Sequence, residues 1–542
     1  MRKQWKTAIG VAALAFLFLL LLGFLELKEK ESRQENETRI WHHELAAAAD
    51  PTIGSDTIPE DFMVDETFVS HLPLVILDTG GKEIVNYKYY NLEEEAFVYQ
   101  EGIDPYFDMQ ISVIDNDTHI NCLADTPAVT SYGKIKVRGN TSSSWKFPKK
   151  QYLIKLLTED GEKNDREIMG MSSSDTWILN GTQLDRSYLR NYIAMNTGGE
   201  ISPYTPDLRF CEMVIKSGNR YEYMGLYGMY EKVEYGSGRV ELYPASMEGE
   251  QAGGSYLLLR DRKDLTGKNM EVWSTANSRS NNWITLEYPS PEEITEDYWE
   301  MIQSDISEIE EVLYGEDRSQ FYEYRTLLDV DSFVDYFIIN EFFANYDAGW
   351  NSTFLYKDLN KKLAIGPFWD FDGFADNYSV ENLDIRQLVL EEAPWFDRLV
   401  TDPYFVERME MRYHELRKTI LSDEVLKEKI EQTCIFLEKP AKRDWARWDH
   451  LYLYGMVDHE EEKTGLMVYR KKDTWQEEVQ RFQDVLQEHG DYMDKNLSTK
   501  LMSYAEWDII KIPDALSVLL AAVFITGFFA SIVLVQRMRK KS

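Results

Sequence analysis

The stretch "NEFFANYDAGWNSTFLYKDLNKKLAIGPFWDFDGFADN", Asn340 to Asn377, sets Asp347, Asn351, Asp370 and Asp372 among Phe343, Trp350, Trp369 and Phe371. Burying an unpaired carboxylate is expensive, so acids placed among aromatic rings require a partner. Clustered carboxylates with an amide oxygen suit a hard cation such as Mg²⁺. In phosphoryl transfer such a cation neutralises charge on the phosphates, while a separate Asp accepts the proton of the attacking hydroxyl. Asp347 and Asp370 are twenty-three positions apart, so this chemistry needs the chain between them to fold back. The competing reading gives the same residues only turns to make: Asp347 and Asp372 as caps, Asn351 in an Asx-turn. The D-x-D of "DFDG" is a short string that also occurs in metal-dependent glycosyltransferases.

The elements around the stretch supply the fold-back. "VDSFVDYFIINEFFANY" is nearly apolar and reads as a buried helix ending near Asn345. Asp347, Gly349 and Asn351 follow as loop residues, "TFLYK" reads as a strand, and "KKLAIGPFWDFDG" as its hairpin partner. Upstream, "LPLVILDTGGKEIV", "FDMQISVID", "GKIKVRGN" and "KQYLIKLL" read as strands. A helix starts near Asp185 in "LDRSYLRNYIAMNTG" and stops at Gly198 or Gly199. Strands return in "FCEMVIKSGNRYEYMGLYGMYEKVE" and "GGSYLLLRDR". After about Pro291 the periodicity is helical, in "EDYWEMIQSDISEIEEVLYG", "PYFVERMEMRYHELRKTIL", "DEVLKEKIEQTCIFLEKPAKRDWARW" and "WQEEVQRFQDVLQEHGDYMDKNL". A strand-rich half (60–285) followed by a helix-rich half (286–510) implies an α+β architecture in two lobes.

The 542 residues carry a net charge of −35, with 44% hydrophobic and 13% aromatic residues, which fits a folded chain. The basic residues at the two ends leave the body more acidic still. Such a body repels nucleic acid as a whole and suits a basic partner. Cys122, Cys211 and Cys434 are too few for a disulfide framework and lack metal-ligand spacing. Residues 7–25 and 515–535 are uncharged and long enough to cross a bilayer. They imply a short tail at 1–6, a polar tether at 26–59 and a basic tail at 536–542. Arg537, Arg539, Lys540 and Lys541 put the C-terminus in the cytoplasm, and two spans then put the N-terminus there as well. The expectation is a two-pass protein of the cell membrane, in contact with lipid through both spans, with a large extracytoplasmic domain.

Several blocks in order resemble the CotH family, named for a spore coat protein and regarded as atypical, protein-kinase-like enzymes. "KIKVRGNTSSSWKFPKKQYLIKL" resembles its Arg-Gly-Asn-Ser block and the Lys-rich strand after it. "WILNGTQLDRSYLRNYIA" and "YMGLYGMYEKVE" resemble its next two blocks, and "NEFFANYDAGWNSTFLYKD" and "GPFWDFDG" its catalytic and metal blocks. The resemblance covers roughly Leu72 to Leu497. It implies a kinase-like, two-lobed domain that transfers phosphate from ATP to Ser or Thr of a protein substrate, basic or Ser-rich, with Mg²⁺ or Mn²⁺. Carried over, Asp347 resembles the catalytic-loop aspartate and Asp370 the metal aspartate. Asn351 and Asp372 are further metal candidates, although Asn351 follows Asp347 by four positions where ordinary kinases have five.

On the nucleotide side, Arg138, Lys150, Lys155 and Glu231 are the candidates. Only Gly139 marks the phosphate loop, so cradling by backbone amides cannot be read from glycines. Strand alternation puts Lys150 and Lys155 on opposite faces. Arg190 is the notable charge of the helix near Asp185 and a candidate partner for that acid. Two other functions stay open: a catalytically silent surface protein that binds a partner, and a metal-dependent glycosyltransferase. An extracytoplasmic body would also meet little ATP.

Overall fold

The computed structural model describes residues 50–505, apart from 92–95, 139–147, 182, 184, 247–253, 264–266, 273–281, 374–384 and 455–471. The apolar spans at 7–25 and 515–535, the tether at 26–49, both tails and Gly139 lie outside the described residues.

Four upstream strands form where the sequence predicts them: β1 (Leu74–Asp78), β2 (Phe107–Ile114), β3 (Val129–Val137) and β4 (Tyr152–Leu157). A fifth, β5 (Thr176–Asn180), is not among the predicted strands; it is buried along its whole length and so has no alternation to read. Helix α1 (Arg190–Gly199) follows, then β6 (Leu208–Ser217) and β7 (Arg220–Glu231). In β4, Tyr152, Ile154 and Leu156 are buried and Lys155 is exposed. Neighbouring strands pair in the order β1-β2-β3-β4-β5-β7-β6. All of these pairs are antiparallel. A parallel pairing of β6 with β1, Glu212 beside Leu74 through Ile215 beside Leu77, then closes the ring. The result is a seven-stranded barrel, which leaves these strands no open edge.

A second sheet is built on β8 (Tyr256–Arg262), which pairs with β9 (Asn282–Tyr288) on one side. After α2 (Glu296–Tyr314) and the buried α3 (Val330–Phe342), a hairpin of β10 (Thr353–Lys357) and β11 (Leu363–Ile365) joins the other side of β8. Three amphipathic helices follow: α4 (Pro403–Leu416), α5 (Asp423–Tyr454) and α6 (Trp475–Tyr504).

The kinase-like, two-lobed reading is corrected by this architecture. A kinase N-lobe would leave its sheet open and separate from the helices. Here the sheet is a closed barrel, and one apolar core runs from Leu72 through Ile135, Trp177 and Phe337 to Leu501. Helix α5 makes the join. Its Asp444, fully buried, accepts from Lys149 Nζ at 2.6 Å, Tyr188 Oη at 2.6 Å and the Leu226 backbone N–H at 2.7 Å. Gly225 makes room for that carboxylate: at its φ of +112° a Cβ would lie 2.1 Å from Asp444 Oδ1. One residue earlier, Arg443 pairs with Glu212 of β6 at 2.5 Å, both fully buried. Trp448 Nε1 donates to Met224 O at 2.8 Å.

The two-pass membrane arrangement is corrected as well: among the described residues no helix is long and apolar enough to cross a membrane.

Removing one member of a buried ion pair leaves the other charge uncompensated, at a cost of about 3–5 kcal/mol. Lys149→Met should therefore lower the denaturation midpoint sharply, with a loss of about that size. Lys149→Met combined with Asp444→Leu should recover part of it. A double variant as unstable as the two single losses added together would show that the pair is not coupled.

Candidate active site

The hairpin does what the opening stretch requires. Helix α3 ends at Phe342, and the chain turns through Asp347, where the Trp350 and Asn351 N–H groups donate to Asp347 O at 3.1 and 2.8 Å. The β10–β11 hairpin then carries it back to Asp370. Asn351 Nδ2 donates to Asp347 Oδ1 at 2.6 Å, and Ser352 Oγ donates to Asp370 Oδ2 at 3.0 Å. Neighbouring residues of one turn thus hold the two aspartates. Asn345 Nδ2 ties the same turn to Asp370 O at 3.2 Å. Ser352 and Asp370 both adopt left-handed backbone, φ +47° and +63°. Such conformations in non-glycine residues persist only where the surroundings impose them.

The aromatic neighbours brace this block from both halves of the chain. Phe371 is buried against Phe343, and its N–H donates to Asn191 Oδ1 of α1 at 2.7 Å. The ring of Trp369 meets Tyr230 of β7 edge-on at 6.1 Å. Arg138, just past β3, lies over the same Trp369 ring at 5.4 Å. Burial lowers the Arg138 pKa, and the charges of Asp370 and Asp372 oppose that shift. Asp372 is buried one residue beyond Phe371.

Burial pushes the Asp347 carboxyl above its usual range; the Asn351 amide pulls it back, the charge of Asp370 adds to the rise, and Arg262 opposes it. Asp261 behaves alike. Burial raises it to about 6; the Arg262 backbone N–H and charge oppose the rise, and Asp347 and Asp370 add to it. Asp261 and Arg262, at the end of β8, thus belong to the same electrostatic neighbourhood. The sequence places "LLLRDR" on a strand and marks no role for it. The signal is the register: Arg260 pairs with Thr353, so the next residues run on beside Ser352 and Asn351.

The structure thus brings together Asp347, Asn351, Asp370, Asp372 and Arg138. The remaining candidates lie elsewhere. Glu231 is buried in an ion pair with Arg239 and accepts from the Ser172 and Asp207 N–H groups at 3.0 and 2.8 Å. Lys155 stands on the outer face of the barrel, 5.1 Å from the centre of the Tyr106 ring. Lys150 is half-buried just before β4, and burial alone lowers its pKa to about 8. Their neighbour Lys149, not among the candidates, takes the buried place against Asp444. Arg190 is paired with Asp185 at 2.7 Å. That acid also accepts from the Arg190 backbone N–H at 2.8 Å, so α1 starts later than its sequence pattern suggests.

The donors gathered here are hard oxygens, the kind that hold Mg²⁺ or Mn²⁺. Among the described residues, however, no three His, Cys, Asp or Glu side chains stand close enough to form a metal cage by themselves. That fits Mg²⁺, which keeps several waters and is held by one or two carboxylates together with substrate phosphates.

A helix-braced barrel that holds two aspartates at the ends of one hairpin is the class of structure this site defines. The sequence matches the family described as CotH kinase protein over residues 135–493. That span covers well over half of the chain and contains every residue of the site, and the chain belongs to this family. Its function is accordingly CotH-like and kinase-related. No curated protein matches the sequence.

The raised pKa of Asp261 carries a sign. The folded state holds that proton more tightly than the unfolded chain, so this group costs stability as pH rises from about 4 to about 6. Asp261→Asn should be more stable than the wild type at pH 7 by on the order of 1–2 kcal/mol. Denaturation midpoints measured across pH should converge as pH falls toward 4. A variant less stable than wild type at pH 7 would instead assign Asp261 a favourable ionic contact.

Proposed function

We propose that the protein transfers the terminal phosphate of ATP to a Ser or Thr hydroxyl of a protein substrate, with a divalent cation. The observation that carries this reading is the joint holding of Asp347 and Asp370 by Asn351 and Ser352 across one hairpin. Asp347 is the base. Its raised pKa keeps a stronger proton acceptor at the site, and the Asn351 amide fixes which carboxylate oxygen faces the hydroxyl. General base assistance of this kind is worth about 10²–10⁴-fold in rate. Asp370 is the carboxylate for Mg²⁺ or Mn²⁺, with Asn351 and Asp372 as further oxygen donors. When bound, that cation neutralises charge on the phosphates. Arg138, positioned beside Asp370 and Asp372, supplies a fixed positive charge for the same purpose. The acidic body favours a basic or Ser-rich protein as substrate and disfavours nucleic acid.

The two aspartates should separate in experiment. Asp370→Asn should weaken Mg²⁺-dependent ATP binding and abolish transfer. Asp347→Asn should leave ATP affinity nearly intact while transfer to a basic Ser-containing protein falls by about 10²–10⁴-fold. Asn351→Ala should fall between them. ATP affinity with and without Mg²⁺, read beside phosphate incorporation, checks all three. A wild-type protein that binds no nucleotide with any divalent metal would replace this reading with that of a silent partner-binding protein.

A further inference from the structure

Arg260 of β8 is fully buried one residue before Asp261, and it makes no ion pair among the described residues. Its Nη1 donates instead to two backbone carbonyls, Gly349 O at 3.2 Å and Pro394 O at 3.4 Å. The guanidinium lies over the ring of Trp395, 4.6 Å from its centre. Burial lowers its pKa, and the charge of Glu310 is first among the groups that oppose the shift. Taking a guanidinium out of water without a carboxylate against it is expensive. Natural chains accept such a cost where the residue has a task.

The two carbonyls show what that task is. Gly349 lies in the turn between Asp347 and Asn351. Its N–H donates to Thr353 Oγ1 at 2.8 Å, and that hydroxyl donates to Asn351 O at 2.9 Å. Thr353 is also the cross-strand partner of Arg260. The amide side of the turn is thus held by Thr353 and the carbonyl side by Arg260. Pro394 belongs to a segment anchored on α2: Trp395 N donates to Tyr314 Oη at 2.8 Å, and Trp395 Nε1 donates to Glu310 Oε1. The turn presses against this segment so closely that a Cβ on Gly349, at φ +80°, would lie 2.8 Å from Ala393 Cβ. The charges that act on Asp347 are those of Asp370 and Arg262, so Arg260 works on the backbone that carries the carboxylate.

We propose that Arg260 is a positioning residue for Asp347: it clamps the Gly349 carbonyl to the Pro394 carbonyl and so fixes the turn from which Asp347 meets the acceptor hydroxyl. The role of Asp347 in this proposal rests on the phosphoryl-transfer reading; the clamp itself does not. A misplaced reacting group loses up to about 10²-fold in rate. Arg260→Met should therefore lower kcat by at least about tenfold, while ATP affinity and the KM for a basic Ser-containing protein stay within about twofold. Arg260→Lys, which keeps a charged donor, should recover part of kcat. In an Asp347→Asn background, Arg260→Met should cost little more, because residues that act through one group are not additive. Amide exchange over residues 347–352 of the full chain reads the turn without turnover. Arg260→Met should release the Trp350 and Asn351 amides while the barrel strands stay protected. If Arg260→Met does not fold, Arg260→Lys carries the same comparisons. Losses that multiply fully in the double variant, a raised KM with unchanged kcat, or unaltered exchange at the turn overturns the proposal. A wild type without phosphate incorporation would remove the phosphoryl-transfer reading, and exchange at the turn would still decide whether Arg260 holds it.

Discussion

The architecture depends on one buried carboxylate. Asp444 enters the barrel from α5 and is met by an ammonium, a phenol and a backbone amide, so its charge and its hydrogen-bonding capacity are matched inside the core. Each donor comes from a different part of the chain: Lys149 precedes β4, Tyr188 precedes α1, and Leu226 lies within β7. A carboxylate that is stable only with all three in place fixes their relative positions. It also fixes α1, whose Asn191 holds the Asp370–Phe371 backbone. The chain of constraint therefore runs from a helix late in the sequence, through the barrel, to the site.

The site is built on the opposite principle. Around Asp444 the charge is answered, whereas at the site burial pushes the Asp261 and Asp347 carboxyls up and the charge of Asp370 adds to both shifts, with Arg262 opposing them. Natural cores rarely leave like charges in that state without a use for them. At the turn of Ser352 and Asp370 the left-handed backbone is held within an aromatic frame.

Much of this was legible in the sequence, because it is local. The 2-residue and 3.6-residue periods located the barrel strands other than the wholly buried β5, and the long helices, and the hairpin that joins Asp347 to Asp370 followed from two adjacent strand patterns. What escaped is what depends on distant partners. Nothing near β6 or β1 announces that they pair, so an open sheet and a closed barrel read alike. Three lysines lie in or just before β4. Which one is buried depends on Asp444, 295 residues away, so Lys150 and Lys155 drew attention and Lys149 did not. Asp261 entered the site only through the register of β8 with β10. Glu231 looked available because its partner Arg239 lies in an irregular segment with no pattern to read.

The parallel pairing that closes the barrel also bears on how the protein is made. Glu212 to Ile215 must find Leu74 to Leu77 across the whole intervening sequence, and each such long-range closure costs chain entropy before any contact repays it. Until then β1 and β6 present unpaired edges, the feature that makes partly folded chains associate. Synthesis delivers β1 early, β6 much later, and the Asp444 lock later again. A nascent chain therefore passes through a long interval with its barrel unsealed, and high contact order makes that a slow-folding protein with a need for protection during synthesis.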